Sequence, residues 1–344
     1  MNNPVIRYVL ILMVAVLASC EKEDVPVVLP PPGDLVRMTA VLGSNYEQQV
    51  YVSLVQGKVE TAALAAYDLA FEACGDGFNI YLNTGKLMFA ASSGTTDFQS
   101  ADSIGVAWKT DAPHLNGDSS AFGRWWPSGP GQQNNVCSEV FFIDRGVLAH
   151  TGMDRFRKFQ VIDHSDSAYV VRFAGLTPGA PEQVITIPRN TSSALAYLNL
   201  NGSGQVVQQS PSLNSWDFVL TRYTHIYYNE PATSPYRHYP VVGGQLNIWN
   251  GTEGAMIEKD STPFYTPFAD FSIEDTASIG FTCNADVIGY DWKYYDFSVG
   301  RFFMAPYCYY VIRASDGLYY KVRMLDFYDE NGTKGTVTFE YQRI

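Results

Sequence analysis

Short runs in which β-branched and aromatic residues alternate with polar ones recur along the chain, and Gly, Asn, Asp or Pro closes each run. Residues 49–55, 67–72, 78–82, 86–91, 158–162, 168–173, 183–187, 195–200, 216–228, 241–249, 309–314 and 318–328 all read this way. A period of two sends successive side chains to opposite faces, so each run is read as a strand. Many short strands at this spacing predict an all-β fold, an antiparallel twisted β-sandwich with few or no helices. Helix-like spacing is confined to residues 59–66 and 266–273.

Turn chemistry defines one piece closely. Tyr309-Tyr310-Val311-Ile312-Arg313 and Tyr319-Tyr320-Lys321-Val322-Arg323 flank a turn with Asp316-Gly317, where Gly supplies the positive φ of a tight hairpin. A second turn, Asp329-Glu330-Asn331-Gly332, leads into a last strand, so the three form a meander. An aromatic-Asp-apolar opening occurs twice, as Tyr67-Asp68-Leu69-Ala70-Phe71 and as Trp216-Asp217-Phe218-Val219-Leu220. Two readings of this echo stand side by side: a duplicated unit, split near residues 175–193, or one large sandwich that reuses a strand-start motif.

The start of the chain has another character. Arg7 precedes an apolar stretch from Tyr8 to Leu17, and Leu17-Ala18-Ser19-Cys20 has the pattern of a bacterial lipobox. Residues 1–19 are therefore expected to be a lipoprotein signal peptide and Cys20 the lipidated residue. Residues 20–34, rich in proline, are expected to be a stiff tether, and residues 35–344 the all-β domain. Glu21-Lys22-Glu23-Asp24 resembles the acidic export signal of Bacteroidetes surface lipoproteins. The location this implies is the outer membrane, reached through the lipid anchor alone and facing the cell exterior.

Composition narrows the function. The 344 residues are 14% aromatic and 17% charged, which suits a folded chain rather than a disordered one. Thirty-five acidic against 23 basic side chains give −12, with no basic stripe, so nucleic-acid binding through phosphates is excluded. No nucleophile elbow, His-Glu-x-x-His or phosphate loop occurs, and no enzyme is expected. Apart from Cys20 there are Cys74, Cys137, Cys283 and Cys308, which allow two disulfides of unknown connectivity or buried free thiols.

The run from Trp216 to His225 resembles the Trp-Asp-led strand of the HmuY family of haem-binding surface lipoproteins. Ile288-Gly289-Tyr290-Asp291-Trp292-Lys293 and the closing segment from Tyr309 to Arg343 resemble that family too. The resemblance implies an all-β twisted sandwich on the outer membrane, serving iron acquisition by capturing haem or a related porphyrin. It also implies a TonB-dependent receptor as partner. The family's ligands are histidine or methionine, and no motif places either pair here.

Candidate ligands must therefore come from the residues. Of the five histidines, His114, His150, His164, His225 and His238, two lie near tyrosines. Counting alternation from Trp216, the even positions are apolar, which sets His225 beside Tyr223 and Tyr227 on the other face. The Pro-rich return over residues 229–240 brings Tyr236 and His238 back to the same edge, so His225 and His238 are the candidate haem ligands. Met256 and Met304 are possible thioether ligands or core fillers, whereas Met88 and Met324 read as core. His150, near Met153 and Asp154, and the turn residue His164 read as structural. Trp125 and Trp126, between glycines, are candidates for stacking on a porphyrin or a sugar, or an aromatic plug. They carry the alternative function, a surface glycan-binding or structural lipoprotein.

Overall fold

The computed structural model describes residues 30–75, 77–115, 119–126, 138–259 and 265–344. Cys20, the expected signal peptide and Cys137 lie outside the described residues. Twenty strands are present among them, with 3-10 turns and no α-helix. The first three are β1 (Val36–Val41), β2 (Gln48–Ser53) and β3 (Lys58–Ala63). Next come β4 (Leu69–Glu72), β5 (Ile80–Leu82), β6 (Phe89–Ser92), β7 (Phe141–Asp144), β8 (Phe156–His164) and β9 (Ala168–Gly175). β10 (Gln183–Pro188), β11 (Leu195–Asn199), β12 (Gln205–Val207), β13 (Phe218–Ile226), β14 (His238–Leu246) and β15 (Glu253–Glu258) follow. The chain closes with β16 (Lys293–Asp296), β17 (Arg301–Met304), β18 (Cys308–Arg313), β19 (Tyr319–Tyr328) and β20 (Lys334–Arg343).

Every pairing is antiparallel, as the alternation predicts, and the β18–β19–β20 meander forms as its turns predict. Residues 59–66 are not helical: most of them form β3, and Leu64–Ala66 is a 3-10 turn. Residues 266–273 likewise only lead into the 3-10 turn Ile273–Ser278. Both stretches owe their spacing to alanines and aromatics that a strand or turn accommodates equally well.

The sheets have the orders β1-β20-β19-β18-β15, β14-β13-β2-β3, β12-β11-β4-β5 and β10-β9-β8-β7-β6, besides the β16-β17 ribbon. One core lies between the first two and includes Val50, Phe218, Leu220, Tyr310, Ile312 and Phe339. A second lies between the last two, around Phe71, Ile80, Ile143, Phe159, Tyr169 and Val171. Tyr51, Trp216 and Val219 from one four-stranded sheet, and Tyr67, Tyr81 and Tyr197 from the other, meet around Trp249. The four-stranded sheets are thus covered on both faces, which is where much of the aromatic excess goes.

The two sandwiches share a plan. Asp68 Oδ2 accepts the Leu200 N–H at 2.7 Å, and Asp217 Oδ2 accepts the Leu54 N–H at 2.7 Å. Asn83 donates to the Leu64 and Tyr67 carbonyls, and Asn247 to those of Leu213 and Trp216. A 3-10 turn follows each asparagine and ends in a left-handed residue, Leu87 or Gly251. By this correspondence β4 to β9 match β13, β14, β15, β18, β19 and β20, while β10, β11 and β12 match β1, β2 and β3. The repeat is circularly permuted, so the halves meet near residues 64–68 and 208–217. The stretch 175–193 holds β10 inside one half and is not where the sheets divide.

Candidate functional site

β13 and β14 outgrow the shared plan. β2 pairs with β13 only from Phe218 to Leu220, yet β14 pairs with it as far as Ile226. The outer part is a two-stranded arm. Within it His225 opposes Tyr239 and Ile226 opposes His238. Opposed residues share a face and neighbours alternate, so His225 and His238 stand on opposite faces. Their contacts agree. His225 meets the Tyr227 ring at 4.7 Å and that of Tyr290 at 4.9 Å, while His238 meets Phe89 at 5.1 Å.

The expected cluster is therefore divided. Tyr223 is 2% exposed, buried because its sheet is covered on both sides. Tyr227 stays with His225, and Tyr236 stands 70% exposed at the end of the arm. His225 and His238 cannot clamp one flat ligand between them; the return through residues 227–237 brings His238 back out of phase with His225. Burial pushes the His225 pKa down, against the pull of Asp291 and Asp286. Burial, and then the charge of Arg237, push the His238 pKa down, which keeps that imidazole neutral and able to ligate.

His238 opens onto a cleft of about 860 Å³. Its walls include Trp108, Phe122, Phe141 and Tyr228, with a second imidazole, His114. The volume falls in the range of small-molecule sites, and aromatic walls with a few polar groups suit a flat ligand. One wall comes from residues 107–114 and 119–123, between β6 and β7; the arm supplies the other. Asp111 pins the first wall, accepting Ala121 N–H at 2.7 Å and Leu82 N–H at 2.6 Å. Burial pushes its pKa up to about 7 against those two bonds. His114 sits beside Pro113 in a loop whose carbonyl accepts Ala285 N–H at 2.8 Å. No motif marks it, so sequence reasoning had no signal for its role.

The other candidates serve the fold. Trp125 donates its indole N–H to the Phe78 carbonyl at 3.1 Å and packs on His164 and Trp126. Trp126 in turn packs on Phe78. Both rings are half-buried, and Trp125 packs against the second core. His150 lies 3.7 Å from buried Asp68. Met256 and Met304 pack against the first core, and Met88 and Met324 are buried. Cys74, Cys283 and Cys308 are free thiols, so the two-disulfide expectation fails: two are separately buried and Cys283 is exposed. Among the described residues no group of three or more His, Cys, Asp or Glu side chains could hold a bare metal ion. No helix among them is long and apolar enough to cross a membrane.

Stacked antiparallel sheets, with a cleft beside the arm, define an antiparallel β-sandwich. The resemblance to the HmuY family is borne out over residues 191–341, which match the family model described as HmuY protein. That stretch includes the arm and His238 but not His114. Apo PinO from Porphyromonas gingivitis is 9% identical, with 90% of this chain and 97% of that chain covered and a TM-score of 0.27. A putative HmuY-like heme binding protein from Bacteroides vulgatus is 9% identical, with 89% and 90% covered and a TM-score of 0.23. The apo HmuY analog of Tannerella forsythia is 9% identical, with 91% and 98% covered and a TM-score of 0.24. No curated protein sequence matches the chain.

Proposed function

We propose that this chain is a non-enzymatic binding protein that holds haem, or a related porphyrin, in the cleft between the arm and the wall of residues 107–114 and 119–123. The observation that carries the reading is the placement of His238 and His114 on one aromatic-walled cleft of about 860 Å³. Neutral imidazoles are ordinary axial ligands of haem iron, and burial keeps His238 neutral. The HmuY match over residues 191–341 supports the same ligand class. On this reading haem is cargo, taken up by a lipoprotein anchored through Cys20 on the outer cell surface and passed to a TonB-dependent receptor. The glycan alternative rests on Trp125 and Trp126, which are half-buried and lie outside this cleft.

Titration of the chain lacking its first 20 residues with haem, followed by Soret absorbance, tests the proposal. A saturable red shift is expected, in oxidised or reduced form, and His238→Ala is expected to weaken it at least tenfold. No spectral change in either oxidation state rejects haem. A shift that survives His114→Ala and His238→Ala together rejects this cleft.

A further inference from the structure

The charges inside the cleft are sorted along β6, which lines it with Ala90 and Ser92. At the Ala90 end, Lys109 is bridged to the strand by two backbone hydrogen bonds of 2.8 Å, one in each direction. Phe89, next to Ala90, touches His238, and Arg237 is its chain neighbour. Arg237 is held in place, donating Nη1–H to the Glu230 carbonyl at 2.5 Å and lying 5.7 Å over the Tyr228 ring. Lys109 on the loop wall and Arg237 on the arm thus both line the cleft. At the other end, about 7 Å along the strand, Ser92 Oγ donates to the Glu139 carboxylate.

Neither Lys109 nor Arg237 has a carboxylate partner among the described residues, although acidic side chains outnumber basic ones by 35 to 23. Both line the same cleft, and an arriving anion gains charge-assisted hydrogen bonds from either cation. Glu139 makes the opposite end unfavourable for the same anion. Resting on the haem reading above, we propose that Lys109 and Arg237 form the carboxylate-binding end of the cleft. The cleft then selects flat macrocycles with acidic groups on one edge, and Glu139 sets which way round they enter.

Metal-free porphyrin separates this claim from iron ligation. Residues 33–344 hold every described strand and form one compact unit, so they suit a fluorescence titration with protoporphyrin and with its dimethyl ester. The diacid is expected to bind at least tenfold more tightly than the diester, the scale of one charge-assisted contact. Lys109→Gln combined with Arg237→Gln is expected to weaken the diacid to the level of the ester and to leave the ester as it was. Equal binding of the two porphyrins overturns the proposal, as does an equal loss of both in the double variant. If neither porphyrin binds, and haem does not either, the haem reading itself falls and takes this proposal with it.

Discussion

Replacing Asp68 with alanine is expected to destabilise the protein far more than the same change at Asp217, its counterpart in the other sandwich. Asp68 is fully buried and accepts from Lys86 Nζ, from Arg145 Nη2 at 2.9 Å and from Leu200 N–H at 2.7 Å. The Lys86 and Arg145 side chains are themselves 2% and 0% exposed, so removing the carboxylate leaves buried Lys86 without a carboxylate and Arg145 with Asp154 Oδ2 at 3.5 Å as its remaining one. Breaking a buried pair in this way costs about 3–5 kcal/mol. Asp217 has no cation partner among the described residues and accepts from the Leu54 and Val55 N–H and from Ser315 N–H and Oγ, so its loss costs about 1–3 kcal/mol. Denaturant unfolding of the two variants measures the difference directly. A cost at Asp68 no larger than that at Asp217 refutes the reasoning. Acidity gives a second arm. Burial alone would raise the Asp68 pKa, but the His150 imidazole at 3.7 Å and the charges of Lys86 and Arg145 pull it below the usual carboxylate range. The folded chain then binds this proton less readily than the unfolded one, so the stabilisation is complete above about pH 4 and drains away as pH falls further. The Asp68→Ala variant is expected to lose stability less steeply over that acid range than the native chain does.

His225→Ala is expected to leave the haem titration unchanged while His238→Ala weakens it, because the two face opposite ways; equal effects in absorbance titrations contradict the register. With its pKa held below the ordinary histidine range, His238 stays neutral through pH 7, so haem affinity is expected to be flat from pH 8 to about 6.5 and to fall only on further acidification. Trp125→Ala is expected to cost about 2–3 kcal/mol in denaturant unfolding, through the loss of a half-buried ring packed against the second core, with no glycan binding lost on an array. In a thiol-reagent assay Cys283 is expected to react in the native state, and Cys74 and Cys308 only after unfolding. Replacing residues 225–239 by Asn-Gly is expected to close β13 and β14 with a two-residue turn, keeping cooperative unfolding while abolishing porphyrin binding.

Local rules reached the strands because each run carries its own evidence. Asp316-Gly317 dictates a hairpin whatever surrounds it, and Gly317 does adopt φ 79°. Faces were harder. In β13 the alternation separates Phe218 and Leu220 from Val219 and Tyr223, but the second face packs on another sheet, so Tyr223 is buried and not half-exposed. Register across the arm was out of reach, since the return between Ile226 and His238 has no turn signature that counts residues. The echo at Asp68 and Asp217 was legible because each aspartate binds the backbone of a distant strand end, a role few side chains fill. The permutation hid the rest of the repeat: β10, β11 and β12 correspond to β1, β2 and β3, at the opposite end of the sequence.

What the two sandwiches share and where they differ separate stability from binding. The shared parts are the aspartate at a strand start, the asparagine before the 3-10 turn and the sheet orders, and each part satisfies backbone groups that would otherwise be buried unpaired. Neither the aspartates nor the asparagines line the cleft. The cleft has β6 and β7 along one side, which the plan repeats, but its two walls are additions: the outer length of β13 and β14, and residues 107–114 and 119–123, held by Asp111. A rigid frame can tolerate change in such additions where they face the cleft, although Ala121 and Phe122 also pack into the second core. His114 and His238 come from two different additions, one on each sandwich. A ligand held by both therefore bridges the halves through the parts of the chain that the repeat leaves free to vary.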